Sequence, residues 1–315
     1  MEQEKVMEAT ESETPQVELT QVEKLNNLRK KYRNADLLWK VITVAVILLA
    51  LVFIYLIYMK LLFDDGLLRV ILACVFLLAI PFCLYVLPLL LKMSSKYKAY
   101  NTEYKNVFLQ EKILGEFPKA DYKAKDRISI KEISECSMIR KARSANANDC
   151  IEGTYKGVDF LRYDMELSYK KSGRTSNCVL IACANRTELD SEVQIIQRDF
   201  KIGKQLYEKP ETYQEYVCDD EKFNKDYAVY AVNQETATGF VDNELTRKLR
   251  KFSGGGPIAA FFDKKKVYLI IKRKKDAMEA PVYKAVRENA CRREAEKEIE
   301  VIKNWVDLLY DCVVK

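Results

Sequence analysis

The sequence predicts an α+β protein: an N-terminal two-helix transmembrane hairpin extended by cytoplasmic helices, then a mainly antiparallel sheet domain with packed helices and a long C-terminal helix. Three observations point there. Two uncharged apolar runs, residues 41–59 and 70–91, hold 19 and 22 residues, and each can cross a hydrocarbon core of ~30 Å at ~1.5 Å per residue. After Phe117 and Pro118, short runs of β-branched and aromatic residues are punctuated by turn residues. The chain closes on a helical period over residues 286–312, with Ala295, Ile299, Ile302, Val306 and Leu309 on one face.

Residues 1–15 are polar and Glu-rich and read as a disordered acidic tail. Residues 16–114 form the hairpin with its extensions, and residues 115–315 a cytosolic α+β domain. Only ten residues, 60–69, separate the two runs, with Asp64, Asp65 and Gly66 supplying turn chemistry, so the spans must be antiparallel. Pro81 and Pro88 are tolerated in a membrane helix, where neighbours satisfy the freed carbonyls. Basic residues crowd the outer flanks, at Lys24, Arg29, Lys30, Lys31, Arg33 and Lys40 before the first span and Lys92, Lys96 and Lys98 after the second. Against these stand only Lys60 and Arg69 between the spans, which places both termini in the cytoplasm. Apolar spacing makes both flanks helical: Val22, Leu25, Leu28, Tyr32 and Ala35 on one side, Tyr97, Tyr100, Tyr104, Val107, Glu111 and Leu114 on the other. The hairpin is expected to continue as an antiparallel pair with Tyr32 near Tyr97 and Leu25 deeper; a basic amphipathic helix lying on the lipid surface is the competing reading of the first flank.

Within the domain, residues 150–155 and 158–169 read as a hairpin turning at Lys156 and Gly157, with residues 177–184 and 193–201 completing a meander. Residues 227–232, 258–262 and 267–271 are further strands and 242–252 a helix.

Composition removes much of enzymology. Of 315 residues, 49% are hydrophobic and 31% charged, enough for a sizeable core, and the net charge of +6 is small for a nucleic-acid binder. His is absent, so Ser-His-Asp triads, Cys-His dyads, HExxH zinc proteases and His-ligated metals each lack a part. Nine Cys lie at irregular spacing with no CxxC, which in a reducing compartment reads as free, packed thiols. Charge is zoned: residues 1–23 carry −6, residues 24–40 carry +5 and residues 92–315 carry +7.

No catalytic, cofactor-binding or metal-ligating residue is assigned. Ser168 to Lys171 fits S-x-x-K and Lys171, Ser172, Gly173 resembles K-T-G, but the two overlap in one hairpin turn instead of converging from a helix and a distant strand. Ser253, Gly254, Gly255, Gly256 and Pro257 precede a strand, whereas a phosphate loop needs a helix, so they read as a flexible connector. Cys218 stands before Asp219, Asp220 and Glu221, whose charges oppose a thiolate, and that acidic cluster reads as a solvated loop. The one feature above background is basic: Lys264, Lys265, Lys266, Lys272, Arg273, Lys274 and Lys275 put seven cations in twelve positions at the two ends of a strand. They are either contacts for anionic lipid headgroups or solvated turns that protect a strand from edge pairing.

The run Asp149, Cys150, Ile151, Glu152, Gly153, Thr154, Tyr155, Lys156, Gly157, Val158 and the later Phe223, Asn224, Lys225, Asp226, Tyr227, Ala228, Val229, Tyr230 resemble the bacterial family catalogued as domain of unknown function 3137. The resemblance covers roughly residues 20–310 and implies a bacterial inner-membrane protein with a membrane hairpin and a cytosolic domain. It also implies LemA-type membrane proteins as partners, and it assigns no site residues.

The leading expectation is a membrane-anchored interaction or scaffold module without enzymatic activity, partnered by the lipid bilayer and self-associating through its helices. An enzyme or small-ligand binder with a site independent of His is the alternative. Transport is disfavoured because neither span holds an ionisable residue.

Overall fold

The computed structural model describes residues 20–61, 87–124, 136, 142–169, 175–185, 189–202, 205–207 and 209–313. The acidic tail and residues 70–86 of the second expected span lie outside the described residues, as do Lys170 to Arg174, which carry most of the S-x-x-K and K-S-G motifs. Among the described residues no helix is long and apolar enough to cross a membrane.

Helix α1 (Gln21–Leu61) opens on a capping box: Glu23 accepts from the Thr20 N–H at 2.9 Å, and the Glu23 N–H donates to Thr20 Oγ1 at 3.3 Å. Helix α2 (Leu87–Tyr104) runs without a break through a π-helical segment, Lys105–Gln110, into α3 (Glu111–Glu116). The first and second helices pair as the apolar spacing predicts. Tyr32 and Tyr97 meet with ring centroids 5.0 Å apart and planes tilted by 46°, and Leu25 is fully buried beside Tyr100 and Tyr104. Beyond Tyr104 the expected face fails. The π turn rotates the helix, so Phe108, Leu109 and Ile113 are buried, Val107 stays partly buried beside Phe108, and Glu111 and Leu114, expected on the packed face, are exposed.

The strands are β1 (Asp121–Lys123), β2 (Ala142–Tyr155), β3 (Val158–Tyr169), β4 (Thr175–Ala184), β5 (Val193–Gln197), β6 (Lys201–Ile202), β7 (Gln205–Leu206), β8 (Gln214–Tyr216), β9 (Tyr227–Ala231), β10 (Ile258–Phe262) and β11 (Lys266–Lys272). Helices α4 (Glu221–Asp226), α5 (Gln234–Phe240), α6 (Asn243–Lys251) and α7 (Glu288–Val313) complete the described elements. Nine strands form one sheet in the order β1-β2-β3-β4-β11-β10-β5-β9-β8 with every pair antiparallel, while β6 and β7 make a small separate hairpin.

The expected hairpin turns where predicted. Lys156 and Gly157 both have positive φ, 50° and 74°, as a two-residue turn matched to strand twist requires. The expected meander does not continue, because the β10–β11 hairpin is inserted between β4 and β5. These two strands, IAAFF and KVYLIIK, carry nearly continuous apolar runs and take the centre, where both faces are covered. Ile258, Ala260 and Phe262 join one apolar cluster with α3, α6 and α7; Ala259 and Phe261 join the opposite one with Tyr163, Ile196 and Tyr268. Trp305 of α7 is fully buried against Phe252 and Phe262. Strand β5 ends four residues before the expected limit, since Arg198 and Asp199 turn the chain into β6. Of the acidic cluster after Cys218, Asp219 is in an exposed bend as expected, while Asp220 caps α4, accepting from the N–H groups of Lys222 and Phe223 at 3.0 Å each, and Glu221 opens that helix.

Candidate functional site

Strand β2 carries an irregularity between Asn148 and Ile151, and there Asp149 adopts a left-handed backbone with φ 51°, a conformation Asp tolerates better than most residues. The kink turns the Asp149 carboxylate inward to full burial. Lys105 of the π segment meets it at 2.6 Å and reaches Glu279 at 3.4 Å, while the Tyr122 hydroxyl donates to its other oxygen. Burial opposes the Lys105 ammonium, but Asp149 and Glu279 together outweigh it and hold its pKa above the ordinary lysine range.

A second charged group lies one residue pair along β3. Arg162, fully buried, makes a fork of two 3.1 Å bonds to Asp164 and a third of 3.1 Å to Glu298 of α7, and donates to the Asp149 carbonyl at 3.3 Å. Glu298 in turn takes Arg273 at 2.9 and 3.1 Å. Carboxylate oxygens of Asp149, Asp276 and Glu279 lie within 4.8 Å of one another. Lys105 already supplies a cation to two of the three, so this cluster is an internal ion network.

The network is continuous with the helix pair through the segment between β11 and α7. Glu279 accepts from Tyr97 and, at 3.2 Å, from Asn101; Tyr100 donates to the Pro281 carbonyl at 2.7 Å. The Asn26 side chain brackets Val286, accepting its N–H at 3.0 Å and donating to its carbonyl at 3.1 Å, and Tyr283 donates to Asp36 at 2.9 Å. This strap closes on both helices at once.

Two open cavities flank the network. One of ≈ 420 Å³ lies along β2 and β3, lined by Asn148, Asp164, Glu166, Asn177 and Asp276 among others. The other, ≈ 930 Å³, is bounded by the C-terminal end of β11, the glycine loop and α7. The structure divides the seven expected basic residues. Lys272, Arg273, Lys274 and Lys275 line the larger cavity, joined by Lys201 and Lys297. Lys264 and Lys265 are exposed in the turn before β11 and Lys266 opens that strand, so the two clusters are separated by roughly 20 Å. The glycine loop is the connector expected, and it packs closely on β11: Gly255 has φ +78° and a Cβ there would fall 2.3 Å from Arg273 Nη1, while one on Gly256 would fall 2.0 Å from the Lys272 carbonyl.

Lys105, Asp149, Arg162, Lys201 and Lys297 escaped the sequence reading. A signal existed for the third: Arg162 and Asp164 are two apart on a strand, hence on one face with opposite charge, and that face also carries the buried Val158 and Phe160.

Residues 178–310 match the family described as "Protein of unknown function (DUF3137)". The resemblance holds over this segment. The DUF3137 match contains Arg273, Asp276, Glu279 and Glu298, whereas Lys105, Asp149, Arg162 and Asp164 reach the network from outside it. No curated protein matches the chain. Among solved structures, the crystal structure of the mycobacterial trehalose monomycolate transport factor A, TtfA, is similar at 10% identity and a TM-score of 0.37, covering 64% of this chain and 94% of that one.

Cys136, Cys150, Cys178, Cys183, Cys218 and Cys291 are all buried. Burial pushes the Cys183 thiol up to about 12 and raises Cys178 as well; at Cys218 burial is reinforced by Asp220 and Asp219. Native protein treated with iodoacetamide near neutral pH is therefore expected to stay unlabelled at these positions until denatured. Mass spectrometry showing one of them alkylated within minutes in the folded state would assign it a chemical role instead.

Proposed function

We propose that this chain is a membrane-anchored interaction module of the bacterial inner membrane, with residues 41–59 and 70–91 as its hairpin and both termini cytoplasmic. The supporting observation is on α1. From Leu37 to Tyr55, nine large apolar side chains among the described residues stand 49–66% exposed on a helix whose earlier turns are packed against the domain. Water is a poor environment for such a surface, and the uncharged stretch is long enough for a bilayer. The strap from Glu279 to Val286 fastens the helix pair to the domain by side-chain and backbone bonds, so the domain sits rigidly at the membrane face. LemA-type membrane proteins and a second copy of this chain are the partners this reading favours.

A reporter fused after Lys315 should be active only on the cytoplasmic side and one inserted at Gly66 only on the outer side. The protein should also stay in the membrane fraction through an alkaline carbonate wash. Export of the C-terminal reporter, or release by the wash, would sink the reading.

A further inference from the structure

The larger cavity differs from ordinary solvated lysine turns in three respects. Its ≈ 930 Å³ volume lies in the range of small-molecule sites. Six basic residues, Lys201, Lys272, Arg273, Lys274, Lys275 and Lys297, line it against four acidic ones. Two of those four already have partners: Asp276 accepts from Asn148 at 2.8 Å and from the Met278 N–H at 3.3 Å, and Glu298 is shared between Arg162, outside the cavity lining, and Arg273, within it. Its third wall is a tightly packed glycine loop: Gly255, Gly256 and Pro257 line the cavity, and a Cβ on Gly256 would fall 2.0 Å from the Lys272 carbonyl.

We propose that this cleft binds a phosphoryl-bearing anion, either a free phosphorylated molecule or the headgroup of an anionic phospholipid. The positions of the cations support it. The Lys272 ammonium donates to the Lys201 carbonyl at 2.9 Å, which fastens the start of β6 beside the end of β11 and brings the two lysines together. Burial and the like charge of Lys201 both press the Lys272 pKa downward, a strain that a bound anion relieves. Arg273 is fixed by Glu298 through one terminal nitrogen, and its buried Nε has no hydrogen-bond partner among the described residues. Lys274, Lys275 and Lys297 are exposed at the rim, where they can close on a ligand carrying two or more charges. This inference concerns the cleft alone and stands or falls independently of the membrane topology.

The test is calorimetric titration of the full-length protein in a neutral detergent with inorganic pyrophosphate, glycerol 1-phosphate, dihexanoyl phosphatidylglycerol and, as the uncharged control, dihexanoyl phosphatidylcholine. Two triple variants remove equal charge from opposite ends of β11: Lys274→Gln/Lys275→Gln/Lys297→Gln in the cleft, and Lys264→Gln/Lys265→Gln/Lys266→Gln at the distant turn. The cleft variant should lose about tenfold or more in affinity and the turn variant less than about twofold. Binding of pyrophosphate or glycerol phosphate with that pattern identifies a free phosphoryl ligand, and binding of phosphatidylglycerol alone identifies a headgroup site. Absence of binding to all the anions, equal binding of phosphatidylcholine, or equal losses in the two variants would overturn the proposal.

Discussion

Replacing Arg162 with Met should destabilise the folded domain by about 3–5 kcal/mol, since it leaves the buried Asp164 carboxylate without its fork and takes one of two cations from Glu298. Chemical denaturation of the wild-type and variant proteins measures the effect, which would lower Tm by an amount on the order of 10 °C. The cost comes from stripping a buried acid of its donors and not from lost packing: burial pushes the Asp164 carboxyl up to about 8 even beside Arg162, and Met fills much of the same volume. The pair Arg162→Met/Asp164→Asn should therefore recover a good part of the loss. If the double variant is no more stable than the single one, Arg162 acts through packing and the electrostatic account is wrong.

Lys105→Met is expected to cost about 3 kcal/mol or more by the same mechanism at Asp149. Its consequences extend further along the chain, because Lys105 also holds Glu279, which anchors Tyr97 and Asn101. Hydrogen exchange in residues 279–286 should accelerate in the variant while exchange in β10 and β11 changes little. Adding Asp149→Asn should restore stability, and Asn accepts the left-handed backbone at that position. Uniform acceleration across the central strands would show instead that the network supports the whole sheet and has no special connection with the helix pair.

Elements with one strong local signal were readable from sequence. The turn at Lys156 and Gly157, the strands at 258–262 and 267–271, the helix capped by Asp242 and the pairing of Tyr32 with Tyr97 all lie where spacing and turn chemistry put them. Features that depend on a break in periodicity were hidden. The π segment displaced the buried face after Tyr104, and the irregularity at Asp149 concealed that β2 begins at Ala142, eight residues before the expected start. Strand order was not legible either, because nothing local to β4 or β5 announces that a hairpin from far along the chain separates them. The candidate site was half visible. Four of its cations form a run from Lys272 to Lys275, but Lys201 and Lys297 join them only through tertiary folding.

The insertion of β10 and β11 between β4 and β5 fixes an order of assembly on the ribosome. Strand β4 pairs with β3 as it is made but finds its second partner only when Lys266–Lys272 emerges, about eighty residues after Ala184, a delay of roughly 4–16 s at ordinary rates of synthesis. Until then β4 and β5 present open apolar edges, so nascent chains stalled before Ile258 should be prone to aggregation. The strap that grips α1 and α2 emerges later still, which makes docking of the domain onto its helical anchor one of the last events of biogenesis.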